Sequence, residues 1–183
     1  RNCAMAGSVA VCENGNYYNR FYFVHPDGAV QHYDKKHLFT FGGEHKRFTA
    51  GTERVVVNFR GVRILLEVCY DLRFPVWSRN LGDYDMILYV ASWPTPRVDA
   101  WSALLRARAI ENQCYVAGVN RMGTDPTCEY SGGSAIIDPY GKTIAECPWS
   151  RESAVSADID MEALQAFRKK FPVLDDADPF TLI

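Results

Sequence analysis

The sequence predicts an α+β fold in which two sheets stack face to face and helices lie outside them. Three observations carry this reading. Short β-branched or alternating runs recur along most of the chain. Few helical segments separate them. One run, residues 62–68 (VRILLEV), is nearly all apolar, as in a strand covered on both faces.

The elements follow in order. Residues 7–13 (GSVAVCE) and 17–25 (YYNRFYFVH) flank Asn14-Gly15-Asn16 and form a hairpin. Pro26-Asp27-Gly28 marks a second turn, and a short strand at 30–33 follows it. Residues 34–52 have no period and hold Gly42, Gly43 and Gly51, so they read as a long structured loop of the kind that carries function. Residues 54–59 and 62–68 are strands joined at Arg60-Gly61, and 86–91 (MILYVA) is another. Asp99 can cap a helix to about Asn112, whose apolar stripe is Trp101, Leu104, Leu105 and Ile110. Residues 115–120, 134–138, 143–146 and 154–159 are further strands, with a turn at Pro139-Tyr140-Gly141. Asp160 caps a last helix through about Lys170, and the tail, 171–183, packs extended on a neighbour.

The chain has 183 residues, 48% hydrophobic and 23% charged, which is enough for one domain (residues 1–183) with a sizeable core. The formal net charge is −2 and no Lys/Arg run appears, which argues against nucleic acid or a membrane surface as partner. No apolar stretch reaches the ~20 residues of a membrane-spanning helix. The six cysteines, Cys3, Cys12, Cys69, Cys114, Cys128 and Cys147, include no CxxC pair. A domain with a full core does not need disulfides, so reduced thiols and a cytoplasmic location are expected.

The informative stretch is VRILLEV-Cys69-Tyr70-Asp71-Leu72-Arg73-Phe74-Pro75. A buried strand ends at a cysteine and the chain turns at once, as at a nucleophile elbow. Backbone N–H groups of such a turn lower a thiol's pKa and bind an oxyanion. A small buried hydrophobe is the plainer reading of a lone cysteine. A base could come from His25, His32, His37 or His45, so a Cys–His pair stays open. A serine hydrolase fits poorly, because Gly132-Gly133-Ser134-Ala135-Ile136 is not GxSxG. No HExxH or clustered Cys/His spacing supports a metal.

The stretch 32–39 (HYDKKHLF) resembles the nitrilase-superfamily motif Tyr-x-Lys-x-His-Leu-Phe, with the motif's catalytic Lys on Lys35 and its spacer on Lys36. Glu44, in GGEHKRFTAG, matches the accessory glutamate, and Cys69-Tyr70-Asp71-Leu72-Arg73-Phe74-Pro75 matches the nucleophile motif. Ala91-Ser92-Trp93-Pro94, Ala107-Arg108-Ala109-Ile110-Glu111-Asn112, Asn120-Arg121 and Tyr130-Ser131-Gly132-Gly133-Ser134 continue the match in order. The resemblance runs from about Gly7 to the C-terminus. It implies a four-layer αββα sandwich that assembles as a homodimer or higher homo-oligomer, acts on a small-molecule amide and needs no cofactor.

In that resemblance Cys69 is the nucleophile, Lys35 holds the oxyanion with the Tyr70 backbone N–H, and Glu44 orients Lys35. The family's first glutamate, its general base, has no match here and is expected ahead of Arg1; the 183 residues alone should then be nearly inactive. Glu67, two before Cys69, reads as structural. The stretches YDKKHLF, GGEHKRFTAG and CYDLRFPVW look most like the omega-amidase branch, which hydrolyses the terminal amide of 2-oxoglutaramate or 2-oxosuccinamate. A cation is expected for the substrate carboxylate, and Arg97 and Arg121 are the candidates. Trp93 is expected to line the pocket or to pack in the core. An N-carbamoyl amidase, a nitrilase or an inactive folded fragment serving as an assembly surface are the alternatives.

Overall fold

A computed structural model describes residues 2–181; Arg1 and the last two residues of the expected tail, Leu182 and Ile183, lie outside the described residues. β1 (Met5–Glu13), β2 (Asn16–Val24) and β3 (Val30–Asp34) form an antiparallel sheet in the order β1-β2-β3. Asn14 and Gly15 take φ of 51° and 78°, which lets a two-residue turn join β1 to β2 with Glu13 opposite Asn16.

The second sheet contains β4 (Val56–Phe59), β5 (Val62–Val68), β6 (Met86–Ala91), β7 (Tyr115–Asn120), β10 (Ala135–Ile137) and β11 (Thr143–Glu146), in the order β11-β10-β7-β6-β5-β4. It is mixed: β5, β6 and β7 run parallel, and the pairs at both ends are antiparallel. A small hairpin, β8 (Met122–Thr124) with β9 (Glu129–Ser131), was not expected from the sequence.

Both faces of the mixed sheet are covered, which explains why β5 reads as continuously apolar. One face turns Ile64, Leu66, Val68 and Val90 towards Phe21, Phe23 and Tyr33 of the first sheet. The other turns Leu65, Ile87, Tyr89 and Val116 towards Trp101, Leu105 and Ala109 of α2 (Val98–Glu111). Gly118 permits the close approach of α2, because a Cβ there would lie 2.5 Å from Leu105 Cδ1 and 2.8 Å from Trp101 Cζ2. A four-residue helix, α1 (Pro75–Ser78), follows the turn after β5. At the other end of the sheet, Arg168 of α3 (Met161–Lys170) binds the Gln113 and Tyr84 carbonyls and Asp85. The fold is therefore α+β, and the described residues form a helix layer, the mixed sheet and the antiparallel sheet. No helix among them covers the outer face of the antiparallel sheet, where Met5 and Val9 are exposed.

Four local expectations are corrected. Residues 154–159 form no strand; most of them are exposed and no ladder partner reaches them. Asp99 is not the cap of α2 but an acid in its first turn, where it still favours the helix dipole. Ile110 is 52% exposed and leaves the apolar stripe, while Arg108 and Ala109 are buried. The tail is not simply extended, since Val173–Asp176 form a short 3₁₀ turn. Asp160 does cap α3, accepting from the Ala163 N–H at 2.9 Å.

Candidate active site

β5 ends at Val68, and Cys69 opens a 3₁₀ turn that runs to Arg73. Cys69 holds φ at 49°, a left-handed conformation uncommon outside glycine, and the residue is mostly enclosed. A strained residue at the tip of a central strand presents its side chain beyond the sheet end, and the first N–H groups of the turn have no partner earlier in it. The local environment opposes the expectation of an acidic thiol. Burial pushes the Cys69 pKa up, the Lys35 ammonium pulls it down, and burial prevails. The thiol is thus neutral near pH 7, and a base would have to take its proton before it could act as a nucleophile.

Lys35 follows β3 and is only 3% exposed. Its Nζ lies 2.6 Å from Glu44 Oε2. The same oxygen accepts the Phe39 N–H at 2.6 Å, and Oε1 accepts from Asn19 Nδ2 at 3.1 Å. Burial alone would raise the Glu44 pKa; the Lys35 charge and these donors outweigh it and hold the group below the usual value. Glu44 is therefore a firmly ionised anchor for Lys35. The loop's other end returns beside Lys35 through Gly51, whose N–H donates to the Lys35 carbonyl at 2.9 Å. A Cβ at Gly51 would sit 2.0 Å from the Asp34 carbonyl oxygen, so only glycine fits there.

Asp71 joins the two halves. Fully buried, its carboxylate accepts from the Val68 N–H at 3.0 Å, from Tyr33 Oη at 2.8 Å, and from the N–H and Nδ1 of His37 at 2.9 and 2.8 Å. Tyr33 Oη in turn accepts the Lys36 N–H at 3.0 Å. Residues on both sides of Lys35 are thereby fixed to the turn that carries Cys69. His37 stacks on Phe74 with ring centroids 3.8 Å apart. It takes part in this support and is not on the cavity wall.

Cys69, Lys35, Glu44, Tyr70, Trp93 and Arg97 line one cavity of about 360 Å³. Trp93 serves both expected purposes: it lines the cavity and is 3% exposed, with its indole N–H donating to the Arg97 carbonyl at 2.7 Å. Asn120 fixes the Trp93 loop by accepting the Trp93 N–H at 2.7 Å. Arg121 is not on this wall; its guanidinium lies over the Tyr130 ring, 4.4 Å from the centroid. Glu67 faces the helix layer and is also off the wall. Sequence reasoning gave no site role to several residues that are on it, among them Asn19 and Arg73. Asn19 shares the inward face of β2 with Phe21 and Phe23, and a polar residue in an apolar alternation was its signal. Arg73 was visible only as part of the nucleophile motif. Among the described residues no group of His, Cys, Asp and Glu could hold a metal ion, and no helix is long and apolar enough to cross a membrane.

Comparison with known proteins places this geometry in context. Residues 1–169 match the carbon-nitrogen hydrolase family. The chain is 53% identical over 182 residues to omega-amidase YafV of Escherichia coli, covering 99% of this chain and 71% of that protein. It is 42% identical over 175 residues to the 2-oxoglutaramate amidase of Bacillus subtilis, covering 94% of this chain and 67% of that protein. A solved structure from Xanthomonas campestris, a CN-hydrolase superfamily protein with an arsenic adduct in the active site, superposes with a TM-score of 0.96 at 46% identity. That match covers 99% of this chain and 71% of the other.

Proposed function

This chain belongs to the carbon-nitrogen hydrolase family, and on that premise we propose that it is an omega-amidase acting on the terminal amide of a 2-oxo dicarboxylic acid such as 2-oxoglutaramate. The observation that carries the catalytic assignment is the anchored Lys35–Glu44 pair on the same cavity wall as Cys69. Cys69 Sγ attacks the amide carbon as its proton passes to a carboxylate base. Lys35 Nζ and the Tyr70 N–H hold the oxygen that becomes negative. The C–N bond breaks as the base returns the proton to nitrogen, ammonia leaves and a thioester remains. Water then attacks the thioester, its proton goes through the base to the sulfur, and the acid is released.

Glu44 is a poor candidate for the base, since both its oxygens are engaged and its pKa is depressed. The base is the further glutamate that the family resemblance implies. Membership in the family also carries the expectation of a cytoplasmic homo-oligomer, and light scattering tests the assembly. Ammonia release from 2-oxoglutaramate, 2-oxosuccinamate, an N-carbamoyl amine and a nitrile tests the substrate class, with Cys69→Ala as the blank. Preference for either of the last two compounds would move the chain to another branch.

A further inference from the structure

The loop that carries Lys35 and Glu44 is tied to the start of β2 at three points. The Lys35 N–H donates to the Asn19 carbonyl at 3.0 Å, one position beyond the Arg20–Asp34 pair at the end of the β2–β3 ladder. The Thr49 N–H donates to the Tyr17 carbonyl at 2.7 Å. Between them, Asn19 Nδ2 donates to Glu44 Oε1 at 3.1 Å. Asn19 therefore reaches Lys35 at both ends: its carbonyl holds the Lys35 backbone, and its side chain holds the carboxylate that binds the ammonium. It lines the cavity beside both residues.

The two oxygens of Glu44 are divided between these donors. Oε2 accepts from Lys35 Nζ and from the Phe39 N–H, both at 2.6 Å, and Oε1 accepts from Asn19. The terminal torsion of a glutamate is broad, so a carboxylate with one oxygen unclaimed can turn and grip an ammonium with both. With Oε1 claimed by Asn19, one oxygen holds the Lys35 ammonium. Two of its three N–H groups are left for the oxygen that becomes negative. A neutral amide does this without adding charge. Lys or Arg at position 19 would pair with Glu44 itself and compete with Lys35.

We propose that Asn19 is a positioning residue of the site: by holding Glu44 Oε1 and the Lys35 backbone it sets the direction in which Lys35 Nζ meets the oxyanion. This rests on the amidase reading, in which Lys35 is the oxyanion donor, and concerns the geometry of that donor. Asn19 acts through Glu44 and takes no part in proton transfer.

Ammonia release from 2-oxoglutaramate would be measured for the full chain, for Asn19→Ala, Asn19→Asp and Glu44→Ala, and for Asn19→Ala combined with Glu44→Ala. Asn19→Ala should lower kcat by about 10- to 100-fold with a smaller change in KM, since a catalytic group misplaced by about 1 Å can cost about 10². In the Glu44→Ala background the same substitution should add little, because the group it acts through is gone. Asn19→Asp keeps the shape of Asn and loses the donor only while it is ionised. Two facing carboxylates take up a shared proton at a pH above the ordinary carboxylate value, and the protonated Asp can again donate to Oε1. The kcat of Asn19→Asp relative to the unmodified chain should therefore rise, reversibly, as pH falls from about 8 to about 5. That recovery also shows that the variant is folded. An unchanged kcat in Asn19→Ala, equal losses in kcat and KM, a full further loss in the Glu44→Ala background, or a relative kcat of Asn19→Asp that ignores pH would each overturn the positioning role. No detectable ammonia from the unmodified chain would count against the amidase reading instead, and a substrate-free measurement then decides for Asn19. Because the Lys35 charge lowers the Cys69 pKa, a displaced Lys35 should slow alkylation of Cys69 by iodoacetamide. Asn19→Ala changes no charge, so a slower rate at about pH 8 supports the role and an equal rate overturns it.

Discussion

Lys35 and Lys36 are adjacent in sequence and opposite in environment. Lys35 is buried against Glu44, whereas the Lys36 ammonium lies 5.4 Å from the centroid of the Trp77 ring. Lys35→Ala should lower kcat by roughly 10²–10³, the cost of losing an oxyanion donor. Lys36→Ala should be close to neutral, and the reverse pattern in initial-rate assays would mean that the wrong lysine has been assigned. The spacing from Tyr33 made this choice legible in the sequence, because it needs only the order of residues. The direction of the Cys69 pKa was not legible, because it depends on how far burial outweighs the Lys35 charge. Removing that charge should raise the thiol pKa further. Alkylation of Cys69 by iodoacetamide at pH 8 should therefore be slower in Lys35→Ala than in the unmodified chain. Mass spectrometry of the modified peptide keeps it apart from the exposed Cys3 and Cys12. An equal or faster rate would show that Lys35 does not act on the thiol.

At the scale of elements, the site is a junction between the loop after β3 and the turn after β5, and Asp71 is its fastener. One carboxylate accepts four hydrogen bonds there, two from the backbone and two from side chains. Asn in its place would turn an N–H₂ group towards one of two backbone N–H groups, Val68 or His37, which can only donate. The loop carrying Lys35 should then shift relative to Cys69. Asp71→Asn should reduce kcat by roughly ten-fold or more with a smaller change in KM, since misplacing a catalytic group by about 1 Å can cost about 10². His37→Phe, which can keep a stack on Phe74, should be milder. Comparable losses in kcat and KM would mark Asp71 as merely structural. The strands and helices that meet here were readable because their apolar period matches their two-sided burial: Val62–Val68, Met86–Ala91 and Tyr115–Asn120 have the bounds their patterns give. Residues 154–159 show the limit. Their alternation is strand-like, but a strand also needs a partner, and pattern alone does not supply one.

At the scale of the whole molecule, the stacking of sheets under a helix layer followed from strand number and from one run buried on both sides, while the buried polar groups inside it did not. Glu67 is fully buried between the mixed sheet and the helices. Its Oε2 accepts from Ser78 Oγ at 3.0 Å, and its Oε1 has no partner. Burial foremost, and then the Asp71 charge, push its pKa from 4.5 up to about 8. The consequence for stability has a definite sign. Below the ordinary value of 4.5 the group is neutral in both the folded and the unfolded chain, and its contribution is fully present. As pH rises above that value the unfolded chain releases the proton and the folded chain keeps it, so the unfolded state gains steadily until the folded group also ionises near pH 8. Glu67→Gln keeps a neutral group at every pH and removes this loss. The urea midpoint of Glu67→Gln relative to the unmodified chain should therefore climb between about pH 4.5 and 8 and then level off. A gap that stays constant across that range would mean that Glu67 is already charged in the folded protein. The partner would then be Arg108, whose Nε also lacks a hydrogen bond.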